Sequence, residues 1–187
     1  MFIDKAISIL FGLVFLFVLS CDGPSSDSVV SEEEATAVGG KALQDDPVFW
    51  DYAASSNMLQ TEIGRIAAEK ATSDSIKTMG QKTVDFHSKA MQQLRSLVAN
   101  QEKVQIPDSL GSADRALVEE FKLLEGEEFN TRYRDFILNT HTVQLERYKE
   151  ALGRAENKRT LDWLQAMLVH LRKELNSVAN IDSVKQQ

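Results

Sequence analysis

Three histidines, His87, His141 and His170, are the only ones in a chain of 187 residues, and each stands near the middle of a stretch whose apolar residues recur every three or four positions. An imidazole on the inner face of a helix can give a lone pair to a divalent metal or a proton to a buried acid. His87 lies about 14 residues from a turn near 71–74, and His141 and His170 lie about 14 to 15 from a turn near 153–157. At about 1.5 Å per residue all three sit roughly 21 to 23 Å from the same end of a bundle. Two carboxylates are candidates to complete the set, although Glu62 stands higher, at about 15 Å from that end. Glu62 occupies the shoulder of an earlier stripe, and Glu174 follows His170 by one turn. Glu62, His87, His141, His170 and Glu174 therefore form a ligand set suited to a divalent transition metal such as Zn, Fe or Cu. Two other uses fit the same residues: core histidines paired with Glu62, Glu174 or a buried water, and a pH-sensitive packing switch. His170 stands on a shoulder of its helix rather than at its inward centre.

Several chemistries are excluded by what is missing. A di-iron carboxylate centre needs ExxH on two helices, but the residues three before the histidines are Val84, Leu138 and Met167. There is no nucleophile elbow, phosphate-cradling Gly loop or HExxH. Glu62 and Glu69, seven apart on one shoulder, read as a solvated flank rather than paired catalytic carboxylates. The single cysteine, Cys21, leaves no intramolecular disulfide and no cysteine-based zinc site. No catalytic residue is assigned.

Four long helices must hold these residues. Asp46-Pro47 opens helix A, with Asp as the N-cap and Pro at the first helical position. Tyr52, Ser56, Leu59, Ile63 and Ile66 mark its stripe to Ala71. Helix B spans about Asp74 to Gln101, with Ile76, Gly80, Thr83, His87, Ala90, Met91, Leu94 and Leu97 on one face. A loop with Ile106-Pro107 and a short apolar-periodic piece ending near Gly126 lead to helix C, about Glu127 to Ala155, which carries Ile137, Leu138, His141, Leu145, Tyr148 and Leu152. Helix D, about Lys158 to Asn180, buries Leu164, Met167, Leu168, Leu171, Leu175 and Val178. The fold class is all-α, an antiparallel four-helix bundle over residues 46–182 with a long, partly helical B-to-C connection. Residues 183–187 form a tail.

The chain before Asp46 reads differently. Residues 6–19 are an apolar run preceded by Lys5, short for a membrane span and suited to a signal segment over residues 1–20. Val18-Leu19-Ser20-Cys21 resembles a bacterial lipobox, in which the cysteine is acylated after cleavage and anchors the protein to a membrane. An ordinary secretory signal with an incidental cysteine is the competing reading, and both send the chain to the cell envelope, periplasmic or at the outer membrane. Residues 21–45 are Gly, Ser, Asp and Glu rich, a flexible acidic tether with a mean span of roughly 25 to 30 Å. With a net charge of −7 and no cationic cluster, nucleic acid is not an expected partner.

Helix A from Phe49 to Ala71, Met79 to Leu94 of helix B, the Leu124 to Tyr133 segment with Gly126 and Phe129, and the helix around His141 resemble a family of bacterial exported or outer-membrane proteins catalogued as domain of unknown function 4142 and described as ferritin-like. Glu62, Gly64, Ala67, Asp85, His87 and His141 match positions which that family favours. Phe86 and Thr140 stand where its members often carry Asp, and Glu174 where they usually carry His, with His170 one turn earlier. The resemblance implies a ferritin-like bundle in an envelope compartment and no defined activity. The expected function is thus a lipid-anchored, non-catalytic binding or stress-related module, with a metal-binding or redox bundle as the alternative.

Overall fold

The computed structural model describes residues 42–184. Within them lie a 3-10 turn, Leu43–Asp45, and five α-helices: α1 Pro47–Lys70, α2 Asp74–Val98, α3 Ser112–Leu123, α4 Gly126–Arg154 and α5 Lys158–Val184. There is no strand among the described residues, and no described helix is long and apolar enough to cross a membrane. The predicted helices A to D are α1, α2, α4 and α5. Helix α2 stops three residues early and α5 runs four further. The signal segment, Cys21 and most of the tether lie outside the described residues.

The expected tether gives way to folded chain before Asp46. Leu43 is buried, and its carbonyl accepts the indole N–H of Trp50 at 2.9 Å. A buried tryptophan N–H needs such an acceptor, so the turn is held against α1. Helix α1 then begins as its sequence requires: the Asp46 carboxylate accepts the Phe49 N–H at 3.2 Å and Pro47 fills the first position. Arg154 at the end of α4 pairs with the same carboxylate at 2.8 Å.

Helix α1 packs along α2 and α4 along α5, while α2 also meets α5 and α1 meets both α3 and α4. The α1–α2 contact is close because two glycines face each other. A Cβ on Gly80 would stand 2.7 Å from both Gly64 O and Ala68 N, so the helix backbones touch there. Seven residues before Gly64 is Asn57 and seven after Gly80 is His87, and those two side chains also meet, at 2.9 Å. Residue numbers fall along α1 as they rise along α2, so the pair runs in opposite directions. Helix α3 lays Val118 and Phe121 into the core, and Gly126, with φ +57°, makes the corner into α4.

Two apolar clusters fill the interior. Trp50, Leu94, Tyr148 and Trp163 belong to one, and Ile63, Ile76, Phe129 and Tyr133 to the other. On every long helix the two are separated by buried polar residues: Asn57 and Gln60 on α1, Thr83 and His87 on α2, His141 and Gln144 on α4, Glu174 on α5. These form one polar layer across mid-bundle.

The α1 stripe differs from the expected one. Ile63 and Ile66 are buried, but Tyr52, Ser56 and Leu59 are only half-buried, and the inward face follows Ala53, Asn57, Gln60, Gly64 and Ala67. Small residues occupy that face because α2 approaches so closely. A polar Asn and Gln lie between them, which hides the stripe from a search for large apolar side chains.

Candidate metal centre

His87, fully buried on α2, is fixed from one side. Asn57 Nδ2 donates to Ala53 O at 2.7 Å, which turns Asn57 Oδ1 toward the imidazole, and His87 Nδ1 lies 2.9 Å from that oxygen. The oxygen can only accept, so Nδ1 carries the proton and Nε2 holds the lone pair. His87 Nε2 is buried and has no hydrogen-bond partner. Burial pushes His87 down to about 3; the charge of Glu174 opposes this, and the His170 and His141 rings reinforce it. The ring is neutral at physiological pH, with an available lone pair.

His170 and Glu174 stand one turn apart on α5, a spacing that places both on one helix face. His170 Nε2 and Glu174 Oε1 are 3.4 Å apart, close enough to attract but not aligned for a hydrogen bond. One donor atom from each of His87, His170 and Glu174 lies within 4.8 Å of the other two. Donors around a tetrahedral metal stand about 3.4 Å apart at bond lengths of about 2.0–2.1 Å. The α5 pair already has that spacing, and no pair has to close by more than roughly 1.4 Å. His170 is oriented by Phe86, whose ring stacks on it at 3.5 Å between centroids with 7° between planes.

Glu174 is held from two further sides. His141 Nε2 lies 2.5 Å from Oε2, and the Thr83 hydroxyl donates to Oε1 at 2.5 Å. Tyr133 OH is 3.2 Å from Thr83 Oγ1 and extends the chain by one link. Burial alone would raise the Glu174 pKa, but the hydrogen bond to His141 and the nearness of both the His141 and His170 rings outweigh it and hold the carboxyl well below the usual range. Burial, with the nearby Glu174 charge, pushes the Tyr133 phenol far above its ordinary value against the Thr83 hydrogen bond, so Tyr133 keeps its proton. On the far side of His141, Thr140 Oγ1 is 3.4 Å from Nδ1 and accepts from Gln60 Nε2 at 3.0 Å.

The structure brings four of the five expected ligands together. His87 is 6.2 Å from His141 and 5.2 Å from His170 between ring centroids. His141 joins the site through Glu174 rather than as a member of the close trio. Glu62 does not join it. That residue is half-exposed and pairs with Arg65 at 2.7 Å. Asn57, Phe86 and Tyr133 complete the site without having been singled out for it. The usable sign for Asn57 was a polar residue among small ones at helical spacing, opposite a buried histidine.

A cleft of about 670 Å³ opens from solvent between α2 and α5 and is lined at its inner end by His170 and Glu174, with Phe86 and Met79 beside them. Three donors and an accessible side are what a catalytic or exchangeable metal site requires, whereas a structural site is closed by four.

The family described as a domain of unknown function, DUF4142, matches residues 31–181, and the chain belongs to it. No curated protein and no solved structure matches the chain.

Proposed function

We propose that this chain is an envelope lipoprotein, anchored through acylated Cys21, whose ferritin-like antiparallel four-helix bundle holds one divalent transition metal on His87, His170 and Glu174. The buried, unpartnered Nε2 of His87 carries the metal reading. A purely structural layer would leave that lone pair unused at a cost of about 1–3 kcal/mol, while Asn57 already sets the tautomer a ligand needs. A hydrogen bond from the non-ligating nitrogen to a carbonyl oxygen is the usual support of a metal-bound histidine.

The order of the apolar clusters supports the finer architecture. Helices α1 and α5 run from the Trp50 cluster to the Ile63 cluster, and α2 and α4 run back. That is a bundle with one long crossover, carried here by the segment containing α3, as in ferritin-like folds. The lipobox and the acidic tether support the anchor, which would present the bundle to the envelope space.

Two nitrogens and one carboxylate, with no thiolate, suit Zn(II) or Fe(II) better than Cu(I). When bound, the metal supplies a Lewis acid with an open position. The chain's own residues orient it and keep water from all but the cleft side. The test is metal content by mass spectrometry after gentle purification from metal-replete cells, with His87→Ala, checked for retained helicity, alongside. About one metal per chain, lost in the variant, supports the reading; wild-type protein that neither carries nor takes up metal removes it. Cys21→Ala tests the anchor separately, since the reading requires that variant to leave the membrane fraction.

A further inference from the structure

The cleft between α2 and α5 is larger than metal entry alone requires. At about 670 Å³ it falls within the range of small-molecule pockets. Its inner end presents His170 and Glu174, and so faces the position that the three ligands leave open. Its wall is mixed. Phe86 and Met79 give an apolar surface, and Phe86 is already fixed flat against His170.

Charge indicates what the cleft would hold. Asp74, Asp85 and Glu174 line the cleft together with Lys82 and Lys173, so without metal the cleft has one excess negative charge, which favours entry of a cation. A bound dication reverses the sign. Neither lysine makes an ion pair with a described residue, whereas Asp85 accepts a hydrogen bond from Gln81 at 2.9 Å. Loading the site therefore leaves two uncommitted ammonium groups and an open metal position on one side of an apolar wall.

We propose that the metal-loaded cleft binds a small amphipathic monocarboxylic acid. One carboxylate oxygen takes the open metal position, Lys82 and Lys173 neutralise the other, and the aliphatic part lies on Phe86 and Met79. The inference rests on the metal reading given above, and names the ligand class of the same site.

Cobalt(II) provides the readout, because its visible spectrum responds to a change of ligand. The protein is loaded with cobalt and titrated with hexanoate, acetate and, as an uncharged control, hexanol. Hexanoate is expected to shift the cobalt bands saturably in the millimolar range. Acetate should bind roughly tenfold more weakly for lack of buried methylenes, and hexanol should leave the bands unchanged. The Lys82→Gln, Lys173→Gln double variant changes only exposed side chains and should bind cobalt at least as tightly, the cleft being more negative, while binding hexanoate about fivefold to tenfold more weakly. Bands that hexanoate leaves unmoved up to about 100 mM, or hexanoate binding that is equal in the double variant, overturn the inference and leave the metal reading standing. Failure of cobalt itself to bind overturns both.

Discussion

His141 Nε2 and Glu174 Oε2 are 2.5 Å apart on facing helices, and neither side chain has appreciable contact with solvent. This is the shortest tie between α4 and α5 in the polar layer, and it leaves Glu174 with one oxygen on His141 and the other on Thr83. A buried carboxylate so held keeps its charge and its direction, which is how a ligand is prepared before its metal arrives.

Removing one half of that pair should be costly. Glu174→Ala leaves His141 Nε2 without its acceptor, while the Thr83 hydroxyl keeps Met79 O at 3.0 Å, and a loss of roughly 3–5 kcal/mol in urea unfolding of the metal-free protein is expected. The double replacement Glu174→Leu, His141→Phe should recover much of this, because an apolar pair has no buried charge to satisfy. A double variant as unstable as the single one would show that the layer is held by something other than this pair.

Acid should destabilise the metal-free bundle well before ordinary carboxylates titrate. His87 in the folded chain takes a proton only near pH 3, while in the unfolded chain it does so near 6.5. Between those values the unfolded state binds one more proton, so stability falls as pH falls, by about 1.4 kcal/mol per unit from this residue. Glu174, held low, adds a loss in the same direction once pH drops below the ordinary carboxylate value of about 4.3. Urea midpoints from pH 7 to 4.5 measure the histidine part, and His87→Gln should flatten that slope.

Gly80→Ala should destabilise although alanine is the better helix former by about 1 kcal/mol. The new methyl would meet backbone atoms at 2.7 Å, which cannot rotate away. A net loss of about 1–3 kcal/mol is expected, with weaker metal binding because Asn57 and His87 meet two turns further along the same contact. Gly153→Ala, where the added Cβ meets nothing within 4 Å, is the control and should be neutral or stabilising.

Phe86→Ala should leave the fold intact and weaken metal binding about tenfold. The ring is only half-buried, so little core is lost, but His170 loses the flat surface that sets its angle. Equal metal affinity in the variant would mean that Glu174 alone positions His170.

The helices were readable because their apolar faces are periodic and their ends are marked. Asp46-Pro47 starts α1, and Gly126 turns into α4, as their chemistry dictates. The common level of His87, His141 and His170 was expected for the wrong reason: the turn at 71–74 is flanked by the Ile63 cluster and the turn at 153–157 by the Trp50 cluster, so the two are not at one end, and the rings meet because each stands near the middle of its helix. Two features were not readable in this way. The inward face of α1 is built from Ala, Gly, Asn and Gln, because Gly64 and Gly80 bring two backbones together, and no count of large apolar residues finds such a face. Setting the face wrongly gave Glu62 a role it lacks, since its partner is Arg65 at the surface. Glu174 was readable as the carboxylate one turn after His170 on a shoulder of its helix, but its ties to the Thr83 hydroxyl and the His141 ring were not, because they come from other helices.

X-ray absorption at the metal edge of zinc-loaded protein addresses the ligand set itself. Two imidazoles and oxygen donors at about 2.0–2.1 Å with no sulfur are the expected shell, and His87→Ala, which should lose the metal, should show no such shell. A shell of oxygens alone, or one unchanged when His87 is removed, would place the metal elsewhere and contradict the account.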